Sequence, residues 1–443
     1  MINVKWISWF EDKLPEYQLL EEKFKEIIRR NYSLSWFTPL DTPNIERVEV
    51  LTSKWADDNE IYWIKRLKAE WKEANDFEMW LRFDLTVPLA RYVWKYEWEI
   101  SFPFKRQQIA RVYRWERPQK GRYREFYQAD IDIIWNGKLP LFADVEILST
   151  INNSLKELDF WEFVININNK KLLAGFLESL EIENIVETIW IIDKKDKVTR
   201  EKLISMLEWI NLWWIQIDSI FELIDFSKKK TESIDDVFKF FDWITNNMLD
   251  EWLEELEYIY DNLLNLWVEK KNLIINPTIS RGLNYYTWLV FETFISGAEN
   301  MWSISSWWRY DDLCNHFSKN SFPGVWGSIG LSRLLSVLNE LKKIQINKKT
   351  ISDVLLLNLW NNILKENLAL IKTLRDNWIN SEIYLDSSVK FAKQIKYADN
   401  KKIPFVIIYW QYEIENDIVQ IKNLSTWEQK EINISNIIKT IKK

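Results

Sequence analysis

The chain reads Arg111-Val-Tyr-Arg-Trp-Glu-Arg-Pro-Gln-Lys-Gly-Arg-Tyr-Arg-Glu125 and continues as Phe126-Tyr-Gln-Ala-Asp-Ile-Asp-Ile-Ile134. Five Arg and one Lys fall within the first 15 residues, and strand-like patterns flank them on both sides. In the continuation, alternation with a period of two places three polar side chains on one strand face: Gln128, Asp130 and Asp132. The segment therefore predicts two antiparallel strands joined by a basic loop.

Both parts of this segment suggest ligand contacts. Guanidinium groups bind phosphate oxygens bidentately, so the basic loop favours a phosphate-bearing ligand. The row of carboxylates and an amide favours a ligand with an ammonium or another N–H group. The alternatives are a solvated charged loop and the water-facing side of an antiparallel sheet. The sequence contains neither G-x-x-x-x-G-K-[ST] nor G-x-G-x-x-G, so any nucleotide is held in another way.

The composition limits the class of protein. The 443 residues are 47% hydrophobic and 28% charged, which excludes disordered, collagen-like and disulfide-scaffold chains. The length predicts about three domains. Because the net charge is −7, a nucleic-acid partner would need a local basic surface.

Single Cys and His residues, Cys314 and His316, narrow the chemistry. They exclude a disulfide framework, a Cys or His zinc site and, in practice, a Ser-His-Asp triad, so we expect no protein-built metal site. No apolar run approaches the length of a membrane span, and charges interrupt the first residues where a signal peptide would be apolar. We therefore expect a cytoplasmic protein that does not cross a membrane.

The Trp and Gly contents are both abnormal, at 28 Trp and 8 Gly, whereas about 7% of an average protein is Gly. Trp36 and Trp378 each follow a helical pattern and precede a strand-like one, where a left-handed residue is common. Trp307 and Trp308 fall in a turn-like cluster, and Trp326 in a stretch spaced like a glycine-rich turn and strand. We interpret most of these Trp as Gly encoded by UGA, in an organism that reads this codon as Gly. The alternative is a Trp-rich protein with packed aromatic anchors.

Hydrophobic periodicity divides the chain into segments. The first begins with an amphipathic helix over residues 15–30 and continues as strands and loops. One of these strands is expected over 81–88, with Arg82, Asp84 and Thr86 on one face. A helical insertion, a return to strands ending in a helix, and a mixed α/β unit follow. The resulting boundaries are 1–165, 166–270, 271–345 and 351–443.

Several motifs together resemble those of class II aminoacyl-tRNA synthetases, and of the histidyl-tRNA synthetase family in particular. The basic loop resembles motif 2, Gly330-Leu-Ser-Arg-Leu334 resembles motif 3, and the region around Pro43 resembles motif 1. Ile279-Ser-Arg-Gly-Leu-Asn-Tyr-Tyr-Thr287 resembles one signature peptide of this family. Ser306-Trp-Trp-Arg-Tyr-Asp-Asp-Leu313 resembles the other, with two Gly displayed as Trp. The resemblance covers nearly the whole chain.

This resemblance implies an α+β catalytic domain with an antiparallel sheet of the class II type over 1–165 and 271–345. It also implies a helical insertion and a C-terminal mixed α/β anticodon-binding domain. The implied activity joins histidine and ATP, with Mg²⁺, to give histidyl-adenylate, and then transfers the histidyl group to tRNA(His). A homodimer is implied as well.

The resemblance implies catalytic roles for three arginines. Arg114 and Arg333 would grip the ATP phosphates and neutralise charge as pyrophosphate leaves. Arg281 would contact the histidine carboxylate and the α-phosphate. Glu116 and Arg122 would help to place the nucleotide.

Further residues would contact histidine and tRNA. Those implied for the histidine α-amino group are Asp84, Thr86 and Gln128, and those implied for the imidazole are Asp132 and Tyr286, with Tyr285 nearby. Gln119 and Arg124 would read the acceptor end of the tRNA.

Two departures from the family pattern affect this reading. Asp84 and Asp132 stand where many relatives carry Glu, which keeps the charge but shortens the reach. Family glycines around the active site are displayed as Trp288, Trp307, Trp308 and Trp326, and taken literally these would fill the pocket. Two functions are alternatives to the implied ligase activity. One is a non-catalytic, histidine-sensing regulatory paralogue of histidine biosynthesis, and the other is a Trp-rich fold that stacks on nucleic acid.

Overall fold

The computed structural model describes residues 5, 7–52, 60–65, 79–117, 119, 121–195, 197–229, 231, 233–244, 247–279, 289–299, 301–310, 320–344, 349–359 and 363–442. The chain divides into two compact units. One comprises Met1–Glu11 and Lys25–Ile344, and the other comprises Asp12–Phe24 and Gln345–Lys443. Within the described ranges, no helix is long and apolar enough to span a bilayer.

The first unit is built on a mixed sheet. Its strands are β1 (Thr38–Pro39), β2 (Ile45–Glu46), β3 (Trp80–Leu81), β4 (Phe104–Tyr113), β5 (Glu125–Ile134), β6 (Phe163–Asn169), β7 (Leu273–Ile275), β8 (Leu289–Ile295), β9 (Ser305–Tyr310) and β10 (Gly324–Ile329). Eight of these strands form one sheet in the order β1-β4-β5-β10-β9-β8-β6-β7, and β2 pairs with β3. The inner pairs from β4 to β6 are antiparallel, whereas β1 with β4 and β6 with β7 are parallel.

Helices precede, cover and interrupt this sheet. They are α1 (Pro15–Leu34), α2 (Val48–Leu51), α3 (Thr86–Tyr96), α4 (Phe142–Leu158), α5 (Lys170–Ser179), α6 (Ile185–Ile192), α7 (Arg200–Trp209), α8 (Trp214–Lys228), α9 (Ile234–Phe241), α10 (Asn247–Asn265) and α11 (Leu331–Glu340). Helices α5 to α10 follow one another between β6 and β7. Because β6 extends through Asn169, this helical segment begins at Lys170.

The second unit has its own five-stranded sheet. Its elements are β11 (Val354–Leu356), α12 (Leu364–Asp376), β12 (Ser381–Ile383), α13 (Phe391–Asn400), β13 (Phe405–Ile408), α14 (Gln411–Glu415), β14 (Ile418–Asn423), β15 (Gln429–Asn433) and α15 (Ile437–Ile441). The strand order is β12-β11-β13-β14-β15, with β11 parallel to both of its neighbours. Apolar side chains of the central strands and of α12 form its core. The expected combination of a large catalytic-type sheet and a C-terminal mixed unit is confirmed.

The expected basic hairpin forms from β4 and β5. Arg106 lies opposite Asp132 in their register, and Gln108 lies opposite Asp130. Ile131 is fully buried on one face, as the alternation predicts. The opposite face is not water-facing, because Asp130 and Asp132 are also fully buried there.

The prediction of a strand over 81–88 is wrong. Strand β3 ends at Leu81 and helix α3 begins at Thr86. The region between 36 and 165 therefore contains helices α2, α3 and α4 as well as strands and loops. Asp84 Oδ1 accepts a hydrogen bond from Val87 N at 3.0 Å, which satisfies a free donor at the helix start. Pro88 fits the first helical turn because its missing N–H is not needed there. The three polar residues do not share a strand face: the Arg82 guanidinium turns away and donates to the carbonyls of Thr42 and Arg111.

In the described part of the chain, three helices are followed by a left-handed Trp. Trp36, Trp267 and Trp378 follow α1, α10 and α12 with φ angles of 66°, 63° and 61°. After α12, Ile379 N donates to Leu374 O and Trp378 N donates to Arg375 O, both at 3.0 Å, which is the Schellman pattern that glycine favours. The left-handed conformation expected for Trp36 and Trp378 is therefore present. Both side chains are at least 84% exposed, so packing does not explain them.

Trp307 and Trp308 lie in strand β9, and the turn expected there is wrong. Hydrogen-bonded pairing with β8 and β10 on both sides outweighs the local turn-like composition. Trp307 is buried against Phe291, with ring centroids 4.5 Å apart. Its indole Nε1 has no hydrogen-bond partner among the described residues.

Candidate active site

Two rows of side chains cross one face of the large sheet. Residues directly opposite each other on antiparallel strands point to the same face. The registers of β4, β5, β10 and β9 therefore align one row of Arg106, Asp132, Trp326 and Trp308. A second row consists of Gln108, Asp130, Ser328 and Ser306. This face carries the polar groups that the sequence singled out on β5.

A cavity of about 260 Å³ lies on this face. Its size is near the lower limit of small-molecule pockets, which span about 300–1,000 Å³. Seven of the residues expected at the site line it: Asp84, Thr86, Arg114, Glu116, Arg122, Gln128 and Arg333. The loop before α3, the β4–β5 hairpin and α11 thus bring together groups that are far apart in sequence.

Backbone carbonyls orient the arginines of this cavity. Arg114 Nε donates to Phe83 O at 2.8 Å, and Arg333 Nη1 donates to Ser303 O at 3.2 Å. A carbonyl directs a guanidinium without neutralising its charge. Glu116 pairs with two of these arginines: Arg122 Nη1 lies 3.1 Å from its Oε2, and Arg114 Nη1 lies 3.8 Å from its Oε1. This wall of the cavity is suited to phosphate oxygens.

Three carboxylates lie near the cavity: Asp84 lines it, whereas Asp130 and Asp132 are fully buried on the same sheet face and do not line it. Burial raises the pKa of Asp84 to about 6 and the pKa of Asp132 to about 7, and it raises the pKa of Asp130 as well. Arg106 opposes this effect for Asp132, since its Nε lies 2.6 Å from Asp132 Oδ2. Tyr310 OH also donates to Asp132 Oδ1 at 3.3 Å. Carboxylates in such a setting lose their charge near neutral pH unless a cation approaches.

Two tryptophans fill part of the cavity. The rings of Trp308 and Trp326 pack with centroids 4.0 Å apart, and both line the cavity. Trp326 Nε1 donates to Asp130 Oδ2 at 2.8 Å. Asp132, which lies opposite Trp326 in the register, does not reach the cavity surface. The residue expected to contact the imidazole, Asp132, therefore does not line the cavity.

Other expected residues lie elsewhere. Arg281, Tyr285, Tyr286 and Trp288 fall outside the described residues. Gln119 is exposed in the hairpin loop, and its carbonyl accepts a hydrogen bond from Arg122 N at 2.8 Å. The Arg124 guanidinium stacks over the Trp115 ring at 3.6 Å. Neither Gln119 nor Arg124 lines the cavity.

Sequence reasoning missed Arg106 and Ser328. Alternation along Lys105-Arg-Gln-Gln108 could have placed Arg106 and Gln108 on one face of β4, but the partner strand and register were needed to place them beside the carboxylates of β5. Throughout the described part of the chain, no group of three or more His, Cys, Asp or Glu could hold a metal ion.

Comparisons with known proteins agree with this arrangement. A family model for histidyl-tRNA synthetase matches residues 9–334, and an anticodon binding domain model matches residues 353–443. The chain is 39% identical to a histidine–tRNA ligase of Clostridium tetani, covering 98% of this chain and 97% of the relative. It is 36% identical to one of Finegoldia magna over the full length of both. The structure resembles that of histidyl-tRNA synthetase from Nostoc sp. PCC 7120, with a TM-score of 0.89, 31% identity and coverage of 100% and 99% of the two chains.

Proposed function

The chain belongs to the histidyl-tRNA synthetase family and is an ATP-dependent histidine–tRNA ligase, and we propose that the cavity on the β4–β5–β10–β9 face is its active site. One observation carries this proposal. A wall of arginines suited to phosphates and a set of carboxylate and amide groups suited to an ammonium meet in one cavity. ATP and an amino acid need both.

The residues of the cavity, together with those that the family resemblance implies, suggest how histidine is activated. Asp84, Thr86 and Gln128 hold the α-amino group, while Asp132, Tyr285 and Tyr286 read the imidazole. A histidine carboxylate oxygen then attacks the α-phosphorus of ATP, the bond to the β-phosphate oxygen breaks, and pyrophosphate leaves. Positioning and charge stabilisation supply the rate acceleration, because no side chain forms a covalent bond.

Arginines stabilise the charge that develops in this step. Arg114 and Arg333 act on the departing pyrophosphate, and Arg281 acts on the histidine carboxylate and the α-phosphate. Glu116 and Arg122, paired at 3.1 Å, place the nucleotide. A hydroxyl of the terminal ribose of tRNA(His) next attacks the histidyl carbonyl carbon, the bond to the α-phosphate oxygen breaks, and AMP leaves.

We propose that Mg²⁺ binds together with ATP. The described residues offer no protein-built metal cluster, but Glu60 and Glu116 line the cavity and supply the carboxylate oxygens that Mg²⁺ prefers. Mg²⁺ typically takes one or two carboxylates plus substrate phosphates. When bound, it would neutralise part of the phosphate charge.

We further propose how the enzyme binds tRNA and that it forms a homodimer. Gln119 and Arg124, in the hairpin loop, read the acceptor end, and residues 353–443 bind the anticodon. The enzyme works in the cytoplasm as a homodimer. Charging of acceptor-stem variants of tRNA(His) by Gln119→Ala and Arg124→Ala tests the first statement, and unchanged discrimination would contradict it. Light scattering tests the dimer.

We also propose that most of the Trp displayed here are Gly in the native protein. Three observations support this: the left-handed Trp at helix ends, the stack of Trp308 on Trp326, and the buried indole N–H of Trp307, which has no hydrogen-bond partner among the described residues. A buried donor without a partner costs about 1–3 kcal/mol, which glycine avoids. The codons at positions 288, 307, 308 and 326 are expected to be UGA.

The decisive experiment measures histidine-dependent ATP–pyrophosphate exchange on two full-length forms. One is the chain as printed, and the other carries Gly at positions 288, 307, 308 and 326. We expect exchange by the Gly form only. Exchange by neither form would contradict the proposed active site, and UGG codons with an active Trp form would contradict the proposed decoding. The regulatory-paralogue alternative gains no support from the comparisons.

A further inference from the structure

We propose that Arg106 is a positioning residue that keeps Asp132 able to ionise near neutral pH and correctly oriented to accept an N–H of the histidine imidazole. The inference rests on the proposed function and adds to it, since Arg106 lies beneath the site and would not touch the substrate. It assigns to a buried guanidinium the control of the charge on Asp132, the residue that would accept the imidazole N–H.

The geometry around Arg106 shows what it can hold. Its side chain is fully buried. The Nη2 group donates to Leu85 O at 3.0 Å, at the start of α3, and Nη1 donates to Gln108 Oε1 at 3.3 Å. Nε lies 2.6 Å from Asp132 Oδ2. One guanidinium thus joins β4, β5 and the loop that carries Asp84.

The contact with Asp132 is an ion pair and not an aligned hydrogen bond. Neither Arg106 Nε nor Asp132 Oδ2 has a well-aligned hydrogen-bond partner among the described residues. Asp132 Oδ2 therefore keeps its capacity to accept an N–H from a ligand, which can approach it in the form that carries Gly at positions 308 and 326. Arg106 supplies charge to the carboxylate without using up this acceptor.

The surroundings of Asp132 make this charge necessary. Its titratable and charged neighbours are Arg106 on β4, Asp130 on β5, Tyr310 on β9 and Asp84 before α3. The two carboxylates oppose ionisation of Asp132, and so does burial, whereas Arg106 and the Tyr310 hydroxyl favour it. Even with Arg106 present, the pKa of Asp132 is raised to about 7. Without it, Asp132 would be protonated at neutral pH and would donate a proton where an acceptor is needed.

The matched control is a second buried arginine of the same unit. Arg82 is 2% exposed, but it donates to the backbone carbonyls of Thr42 and Arg111 and makes no contact with Asp132 in the described structure. Replacing Arg82 therefore perturbs a comparable buried guanidinium without changing the charge next to Asp132.

The experiment compares the full-length parent, taken in the form active in exchange, with Arg106→Met, Arg106→Lys and Arg82→Lys. Exchange is driven by a triazole analogue of histidine, whose ring takes up no proton in the range studied. For Arg106→Met we expect the acid limb of kcat/KM for the analogue to move up by at least about one pH unit. We also expect KM for the analogue to rise at least about fivefold at pH 7, because the ionised fraction falls from about one half to about one tenth, with KM for ATP unchanged. Arg106→Lys should recover part of the loss.

A structural role alone would give a different result. Equal rises in KM for the analogue and for ATP, with the acid limb of kcat/KM unmoved, would overturn the proposal. The same shift of the acid limb in Arg82→Lys would also overturn it. If the parent shows no exchange, the proposed function fails, and the pH dependence of unfolding then tests Arg106 separately. The free energy of unfolding should change with pH where Asp132 titrates, and this change should be absent in Asp132→Asn. In Arg106→Met the same change should occur at higher pH. A change at the same pH as in the parent would overturn the inference.

Discussion

At the scale of single residues, backbone conformation shows which tryptophans are out of place. Trp378 follows α12 with φ of 61° and is 90% exposed, so its side chain gains little from packing. Trp209, at the end of α7, is 84% exposed but has no left-handed φ. The same residue type at similar exposure thus occupies one position that glycine favours and one that it does not.

We expect Trp378→Gly to stabilise the protein by about 1–2 kcal/mol, because a bulky residue in the left-handed region costs about that much. Trp209→Gly, the matched control, should lose a few tenths of a kcal/mol through the poor helix propensity of glycine. Urea unfolding of both variants measures the difference. A stability loss in Trp378→Gly would contradict the proposed assignment of glycine to this position.

At the scale of elements, the sequence predicted local periodicity better than pairing. Alternation from Phe126 placed Asp130 and Asp132 correctly on one face of β5, because strand geometry depends only on neighbours along the chain. For the segment 81–88, by contrast, the same kind of alternation gave a wrong prediction. Its alternation resembled a strand, but the hydrogen bond from Val87 N to Asp84 Oδ1 starts a helix. Arg106 stayed hidden because its importance depends on a register partner.

Asp84 has two separable roles at the start of α3. Its carboxylate accepts a hydrogen bond from Val87 N, and it lines the cavity. Asp84→Asn keeps an acceptor but removes the charge, so KM for histidine should rise about 10-fold or more, with stability retained. Asp84→Ala should show the same rise in KM and lose about 1 kcal/mol of stability. Exchange kinetics and urea unfolding separate the two roles, and an unchanged KM in Asp84→Asn would contradict the first.

At the scale of the whole molecule, buried carboxylates determine how stability varies with pH. Burial raises the pKa of Asp84 and Asp144 to about 6 and that of Asp132 to about 7. Unfolded Asp titrates near about 3.9, so the folded chain binds more protons between these values. The free energy of unfolding should therefore fall as pH rises from about 4 to about 7.

Urea unfolding at a series of pH values measures this fall. Asp132→Asn is the control. The slope of its free energy of unfolding against pH should be shallower by up to about 1.4 kcal/mol per pH unit, which corresponds to one proton. Stability that rises with pH across the same window would contradict the raised pKa values.

The left-handed tryptophans also matter collectively. Trp9, Trp36, Trp267, Trp378 and Trp427 all have positive φ angles. At about 1–2 kcal/mol each, their summed cost is about 5–10 kcal/mol, comparable with the net stability of a typical protein. Replacing all five with Gly should raise the free energy of unfolding by about 5 kcal/mol or more, because independent sites add. A gain no larger than that of Trp378→Gly alone would contradict this sum.

The paired rings of Trp308 and Trp326 have an optical consequence. Two indoles with centroids 4.0 Å apart are close enough for their electronic transitions to mix, and a chiral pair of this kind produces a split circular-dichroism band. Protein carrying Trp at both positions should show this band, and protein carrying Gly should not. The spectrum of material purified from its own source would therefore report which residue the ribosome inserted, without reading the gene or measuring turnover.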